Sequence, residues 1–495
     1  MENQILINIT FNETRVAVME NGSVAELYIE RKSVPRIVGN IYKGIVGKVV
    51  PGMQAAFIDI GLGKSGFISI EDVHEDSLYE YFLDSGSESQ QSKKQDRSLI
   101  QDILREGQHV LVQVLKESVG GKGAKLSSNI GIPGKYSVIL GTADIVGISR
   151  KIEDPLERER LGDIIRRVRP EGTGIIARTA SAGITAEELE QDIGDLVRLW
   201  EDVKKKSEEQ KAPSLIYEEP RLYIKAVRDF VSSEYNKIIV DSESVFQEIK
   251  AYLKRNFPDS SVNVELYKDP EPLFARFGVE SEIRKIFNKK VWLKSGGHVI
   301  IEEAEGLTVV DVNTGRYQSG KSQEETIYTL NLEAAAEIVR QIRLRNLVGI
   351  VVVDFIDIKN RQLRDQIYEA FVEALKQDRA RSAVLEMSLF GVIQMTRQRV
   401  RESILTELAE PCPYCEGSGY LKSKDTISYE IIREIKSRIL KPFVKRVEVQ
   451  ASLKVIHRLK ESEHENLRKL EKEHGVEIVY KPVEGRIGKF EVIAD

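Results

Sequence analysis

Two cysteines in a chain of 495 residues exclude a disulfide framework and fit a reducing, cytoplasmic setting. No apolar run is long enough to span a bilayer, so no membrane-spanning segment is expected. The opening residues, M-E-N-Q-I-L-I-N-I-T-F, place no basic stretch ahead of a long apolar one, so no secretory signal is expected. Positive charge is not in excess either: 73 Lys and Arg against 78 Asp and Glu leave a formal net charge of −5. Any nucleic-acid surface must therefore come from local placement of cations. What is present is a globular composition, 41% hydrophobic and 31% charged, in a chain too long for one core, so several domains are expected. No internal repeat is found.

Residues 5–10 and 14–19 alternate, and Asn21-Gly22 turns the chain into a further run at 24–29, which predicts a β-hairpin opening. Residues 39–127 are rich in β-branched residues and glycine and predict a small β-barrel. Within it, S-G-S-E-S-Q-Q-S-K-K-Q-D at 85–96 is polar and low in complexity, a predicted loop. Strands are expected at 136–140 and 174–178. An amphipathic helix is expected at 186–206, with Leu189, Ile193, Leu196, Val197 and Trp200 on one stripe, and another helix at 241–256. The stretch 291–387 reads as α/β, with strands at 299–303, 307–312 and 348–355 around a helix at 323–345. A cysteine-bearing link follows Pro411, and 428–495 alternates strands and helices, with one charged helix at 461–474.

The most informative run is G-L-T-V-V-D-V-N-T-G-R. Val309, Asp311 and Asn313 alternate, so they share one face of a strand. A second strand, G-I-V-V-V-D-F-I-D, ends at Asp354, and a helix of suitable length joins the two as a βαβ unit. Both carboxylates then lie at the same sheet edge, where open α/β sheets place ligands. Two hard oxygen donors there suit Mg²⁺ and leave coordination positions for water and a phosphate oxygen. The alternative is that both are strand-end caps.

Other residues carry chemistry of their own. Phe57 and Phe67 flank a glycine-rich turn near Lys43, Lys48 and Lys64, a pattern that suits stacking of unpaired bases; the alternative is that both rings are core. Residues 315–322, G-R-Y-Q-S-G-K-S, match the phosphate-loop pattern and raise a P-loop ATPase as a rival. Against it, Asp311 and Asn313 interrupt the strand that should run straight into the first glycine, and Gln323, Glu324 and Glu325 follow where apolar residues are needed. Arg150, Arg178-Thr179 and Arg381 are surface charges taken singly; brought together, they could form a fork-shaped anion site. In C-P-Y-C-E-G-S-G, Cys412 and Cys415 make half a zinc knuckle. Structural zinc takes four ligands, so histidines or a second chain would complete it; a redox pair is the alternative, without a thioredoxin-like βαβ context. A non-catalytic RNA-binding protein resting on the barrel alone is a third reading.

Taken together, these runs resemble the ribonuclease E/G family from the N-terminus to about Tyr420. G-L-T-V-V-D-V-N-T-G, N-L-E-A-A-A-E-I-V-R-Q-I-R-L-R, V-V-D-F-I-D and C-P-Y-C-x-G-x-G occur in the family's order. The resemblance implies a multidomain α/β and β fold: an RNase H-like subdomain in two segments (1–37 and 216–280), an OB-fold RNA-binding barrel (38–127), a 5′-sensor (128–215), a DNase I-like α/β catalytic subdomain (281–410), a zinc link (411–420) and a small C-terminal α+β domain (421–495). It implies that Asp311 and Asp354 bind Mg²⁺ with Asn313 in support, and that Arg178 and Thr179 grip a 5′-monophosphate. Gly134, Val138, Arg150 and Arg381 fall at neighbouring sensor positions. Phe57, Phe67 and Lys116 match the residues that hold RNA near the cut, and Cys412 and Cys415 match a Zn²⁺ link shared across a homodimer, with tetramers left open. The implied activity is cleavage of single-stranded RNA, in rRNA precursors and mRNA, leaving a 5′-phosphate and a 3′-hydroxyl. The family uses no phosphate loop, so the 315–322 match is read as chance, and the 85–96 stretch lengthens the barrel. The long disordered scaffold of one branch of the family is not seen, which tilts the reading toward the other branch. The final segment carries no recognised motif.

Overall fold

The computed structural model describes residues 3–32, 37–73, 99–116, 123–231, 235–257, 262–315, 323–398, 401–483 and 488–495. The loop expected at 85–96 and residues 316–322 of the phosphate-loop match lie outside them. The chain forms two compact units, Met1–Glu407 and Leu408–Asp495.

The opening is more than a hairpin. Asn3–Ile9, Glu13–Glu20 and Ser23–Arg31 form three antiparallel strands. Tyr235–Val240 and Asn263–Leu266 then extend the sheet in parallel, so that two segments distant in sequence build one layer. Ile5, Ile7, Val16 and Val18 pack on Tyr223, Val227 and Phe230 of the helix Leu222–Phe230 and on Ile249 of Glu243–Asn256.

A closed barrel follows. Ile41–Val50, Ala55–Asp59, Gly66–Ser69, Lys125–Ser127 and His109–Lys116 pair in turn, and the last returns to the first. Glycine is needed where strands crowd: a Cβ at Gly44 would sit 2.5 Å from Ile58 Cγ2, and one at Gly66 2.5 Å from Leu126 Cδ1.

The next sheet runs Val146–Ile148, Gly174–Ala177, Ser137–Leu140, Gly131–Pro133. The expected amphipathic helix is Ala186–Glu209, opened by a capping box between Thr185 and Glu188. It buries Leu189, Ile193, Leu196 and Trp200, while Val197 is only partly covered. A second helix, Pro155–Val168, was not expected; Asp154 caps it with Pro155 in its first turn, a signal present in the sequence.

The largest sheet of the α/β region has six strands, three more than expected, in the order Lys290–Trp292, His298–Glu303, Leu307–Asn313, Gly349–Asp354, Val392–Arg397, Ser382–Val384. Only the central pair is parallel, as the connecting helix Gln323–Leu344 requires. That helix and Arg361–Leu375 bury one face of the sheet through Leu330, Ile338, Ile342, Ile367 and Phe371 against Val299, Val310, Val312, Val351 and Val353.

In the second unit, Lys424–Ile439 lays Ile427, Ile431 and Ile435 on a sheet of Glu477–Pro482, Arg446–Ala451 and Phe490–Ala494. The charged helix expected at 461–474 is found at His464–His474, and a separate helix, Leu453–Ser462, precedes it. Glu463 leaves helical geometry (φ −117°, ψ 7°), and its carboxylate accepts from Asn466 Nδ2 at 2.8 Å. A charge pattern alone does not mark that break.

Candidate active site

Asp311 and Asp354 are register partners across the central parallel pair. Alternation sends Thr308, Val310 and Val312 into the helix-covered core, and Leu307, Val309, Asp311 and Asn313 to the opposite face. That face is open: Leu307 is 37%, Val309 41% and Ile350 48% exposed. The carboxylates thus stand at the end of an uncovered sheet surface. Asn313 Nδ2 donates to Asp311 Oδ2 at 2.7 Å, which fixes that carboxylate's orientation. Burial, then the carboxylates of Asp311 and Asp357, push the Asp354 carboxyl above its ordinary range. Asp357 lies in the quoted V-V-D-F-I-D run, but the sequence reading gave it no role.

No group of three or more His, Cys, Asp or Glu stands close enough to hold a metal among the described residues. The site therefore offers two carboxylates from neighbouring strands, with a third in their field. Hard oxygens that repel one another suit a divalent cation, which relieves the repulsion and keeps open positions.

On the barrel, Phe57 and Phe67 are register partners with ring centroids 5.9 Å apart at 64°. Both are half-buried and lie outside the buried cluster of Val46, Ala56, Ile58, Ile68, Val112, Val114 and Leu126. Lys48, opposite Phe57, is exposed, as are Lys64 and Lys116. Lys43 is otherwise engaged: its ammonium donates to the carbonyls of Ser207 (2.6 Å) and Gln210 (2.9 Å) at a helix C-terminus.

Arg178 stands half-buried at the end of its strand, and Thr179 is exposed. The Arg178 guanidinium donates to the Gly134 carbonyl at 2.6 Å and to Asp229 Oδ1 at 3.1 Å. Thr179 Oγ1 is 2.9 Å from Ser149 Oγ, which brings exposed Arg150 alongside. Lys151 Nζ donates to the Asp378 carbonyl at 3.2 Å, so the segment bearing Arg381 reaches the same neighbourhood. Val138 is 2% exposed among Leu140, Ala143 and Ile176, a packing position. The sequence reading missed Asp229. Burial alone would raise its carboxyl, but Arg228 and Arg178 overcome that and hold it at about 2. Arg228 adjoins it in sequence, but nothing there flags its second partner, because Arg178 lies 51 positions away.

In the second unit Cys412 is exposed and Cys415 half-buried. The backbone amides of Gly419 and Gly417 draw the Cys415 thiol below its usual range, and the Cys412 side chain adds to this. Both glycines have positive φ (76° and 90°), the turn geometry that aims those amides at a sulfur. That donor set fits a thiolate-bound ion.

Residues 131–400 match the Ribonuclease E/G family. The chain belongs to this family. Residues 37–128 match the S1 RNA binding domain, and 411–489 match the RNase E/G thioredoxin-like domain. The last match corrects the expectation that no thioredoxin-like context accompanies the cysteines. Arg446–Ala451 and Glu477–Pro482 are parallel strands joined by helices, but they follow the cysteines instead of flanking them. The family member is 40% identical to Ribonuclease G of Haemophilus influenzae, over 87% of each chain, and 39% identical to Ribonuclease G of Escherichia coli, over 88% of each. It is 36% identical to Ribonuclease E of Haemophilus influenzae over 97% of this chain and 51% of that one. Among the described residues no helix is long and apolar enough to cross a membrane.

Proposed function

We propose that Asp311 and Asp354 are the catalytic carboxylates of this chain, which as a ribonuclease E/G family member is an endoribonuclease of RNA processing and decay. The observation that carries the assignment is their pairing in register on an open sheet face. They would hold Mg²⁺, with Asn313 engaging one oxygen of Asp311 and leaving the other free. When bound, the ion supplies a Lewis acid for the phosphate and lowers the pKa of a water. The open face admits a polymer to the edge where the two carboxylates would hold the ion. Products would carry a 5′-phosphate and a 3′-hydroxyl. Cleavage of a labelled single-stranded oligomer by the wild type in Mg²⁺ but not EDTA, and not by Asp354→Asn, tests this.

The S1 barrel supports a role for Phe57, Phe67 and Lys116 in holding unpaired RNA: two half-open rings stand beside exposed ammonium groups. Arg178 and Thr179 are proposed to grip a 5′-monophosphate, with Gly134 and Asp229 fixing the guanidinium and Arg150 and Arg381 adding charge. Val138 would shape that site by packing. The two-segment sheet is proposed as the RNase H-like subdomain, and the six-stranded layer as the DNase I-like catalytic one. Cys412 and Cys415 supply two of the four ligands that Zn²⁺ takes, and the described residues offer no third, so a second chain would complete a shared link in a homodimer. Thiolates held reduced for zinc fit the cytoplasm.

A further inference from the structure

The open face of the six-stranded sheet carries more than carboxylates. Asn313 is opposite His298, and His298 is opposite Trp292, so the three form a row across three strands. The neighbouring row runs Asp311, Ile300, Lys290. With strands about 4.8 Å apart, Trp292 stands about 10 Å from Asn313. Its indole is 64% exposed, a large apolar surface left in water. The ring packs on His298 with centroids 5.3 Å apart at 55°, and Lys290 Nζ lies 4.1 Å from the Trp292 ring centroid. His298 is itself wedged against the end of the aspartate strand. A Cβ at Gly315, which has φ 59°, would lie 3.4 Å from His298 Nδ1 and 2.6 Å from the Gly296 carbonyl.

We infer that Trp292, held by His298 and flanked by Lys290, is a stacking site for an unpaired base of the RNA, next to the phosphate cut at Asp311 and Asp354. The inference rests on the endonuclease reading above. A base presents a flat π-face to the indole and takes the place over the ring that the Lys290 ammonium now holds, and the displaced ammonium meets its phosphate. A protein partner has no such reason to find an aromatic and a cation together on the face that carries the carboxylates. The site would add affinity without regard to base identity, because every base has a π-face.

The chain has two tryptophans, and Trp200 is 4% exposed, so fluorescence changes on binding report Trp292. In EDTA, where RNA binds without being cut, a single-stranded oligomer should quench the exposed indole, and Trp292→Phe should lose that signal. An unquenched wild type at saturating RNA overturns the proposal. So does quenching that follows protein concentration without RNA, which marks burial by a second copy of the chain. Cleavage gives the second arm, with oligomers abasic at one position at a time around the cut. Wild type should lose about ten- to a hundredfold in kcat/KM at one position. Trp292→Ala should show that loss on the intact oligomer and no further loss at that position, and Trp292→Phe should recover most of it. Trp292→Ala with wild-type kcat/KM, or with undiminished sensitivity at every position, overturns the proposal. Asp354→Asn cutting at wild-type rates would instead sink the assignment of the catalytic carboxylates, while the quenching would still report the stacking site.

Discussion

Asp354→Asn separates function from stability more sharply than any other single change. The side chain keeps its shape and loses one of two carboxylates that face each other in register. Adjacent strands put such groups about 5 Å apart. Their repulsion is on the order of 1 kcal/mol in water-like surroundings. The raised Asp354 carboxyl pKa carries the same sign: the ionised form is disfavoured in the folded chain, so the charge costs stability at neutral pH. The substitution should therefore leave Tm unchanged or raise it by about 1–2 °C. Activity should move the other way, with single-turnover cleavage falling by at least about a hundredfold for loss of a charge-stabilising group. The assays are calorimetry and cleavage of one RNA oligomer over a range of Mg²⁺, with binding measured in EDTA. RNA binding should persist. A variant that cuts like the wild type refutes the assignment. One that loses several degrees of Tm together with binding shows the residue to be a structural strand cap.

Arg178→Gln should abolish a preference for 5′-monophosphate over 5′-hydroxyl RNA, about tenfold for a lost charge-assisted contact, while sparing cleavage of circular RNA; equal wild-type rates on both ends refute the sensor. Asp229, with its carboxyl held at about 2 against about 3.9 when unfolded, contributes stability that is full above about pH 4 and lost as pH falls toward 2. Asp229→Asn should therefore be less stable than wild type in urea melts at neutral pH, and the gap should close below about pH 2; a constant gap argues against the ion pair. Cys412→Ser with Cys415→Ser should abolish a zinc content of about half an ion per chain and shift sedimentation toward monomer; one zinc per chain in the wild type rules out the shared link.

The central βαβ unit was legible because two different signals converged. Strict alternation through Val309, Asp311 and Asn313 fixed a face, and the apolar run at Val351–Val353 with a connecting helix fixed a parallel partner. Given those, the meeting of the carboxylates follows from sheet geometry. Of the three flanking strands not found, Lys290–Trp292 and Ser382–Val384 are three residues each and carry no periodicity, whereas Val392–Arg397 alternates and lies beyond the stretch read as α/β. Lys43 looked like a phosphate contact from its place beside the aromatics, but the carbonyls at the end of Ala186–Glu209 claim it from far along the chain. The pairing of Asp229 with Arg178 was invisible for the same reason. The sequence reports periodicity and local caps well, whereas the capture of one charged group by another is decided by packing between elements.

The open face also explains how a chain with a net charge of −5 can act on a polyanion. A sheet covered by helices on both sides would hide Asp311 and Asp354; one covered on a single side leaves Leu307, Val309, Ile350 and Trp292 in water, at a cost in unburied apolar area. That surface can receive a strand but attracts one only locally, through Lys290, because its paired charges are carboxylates. Most of the attraction must come from elsewhere: Lys48, Lys64 and Lys116 on the barrel, and Arg150 and Arg178 at the proposed sensor. On the proposed assignments, most of the electrostatic binding and the chemistry fall to different elements. Mutations at the lysines and arginines should change affinity and its salt dependence with little effect on the bound-state rate, and mutations at the aspartates should do the reverse.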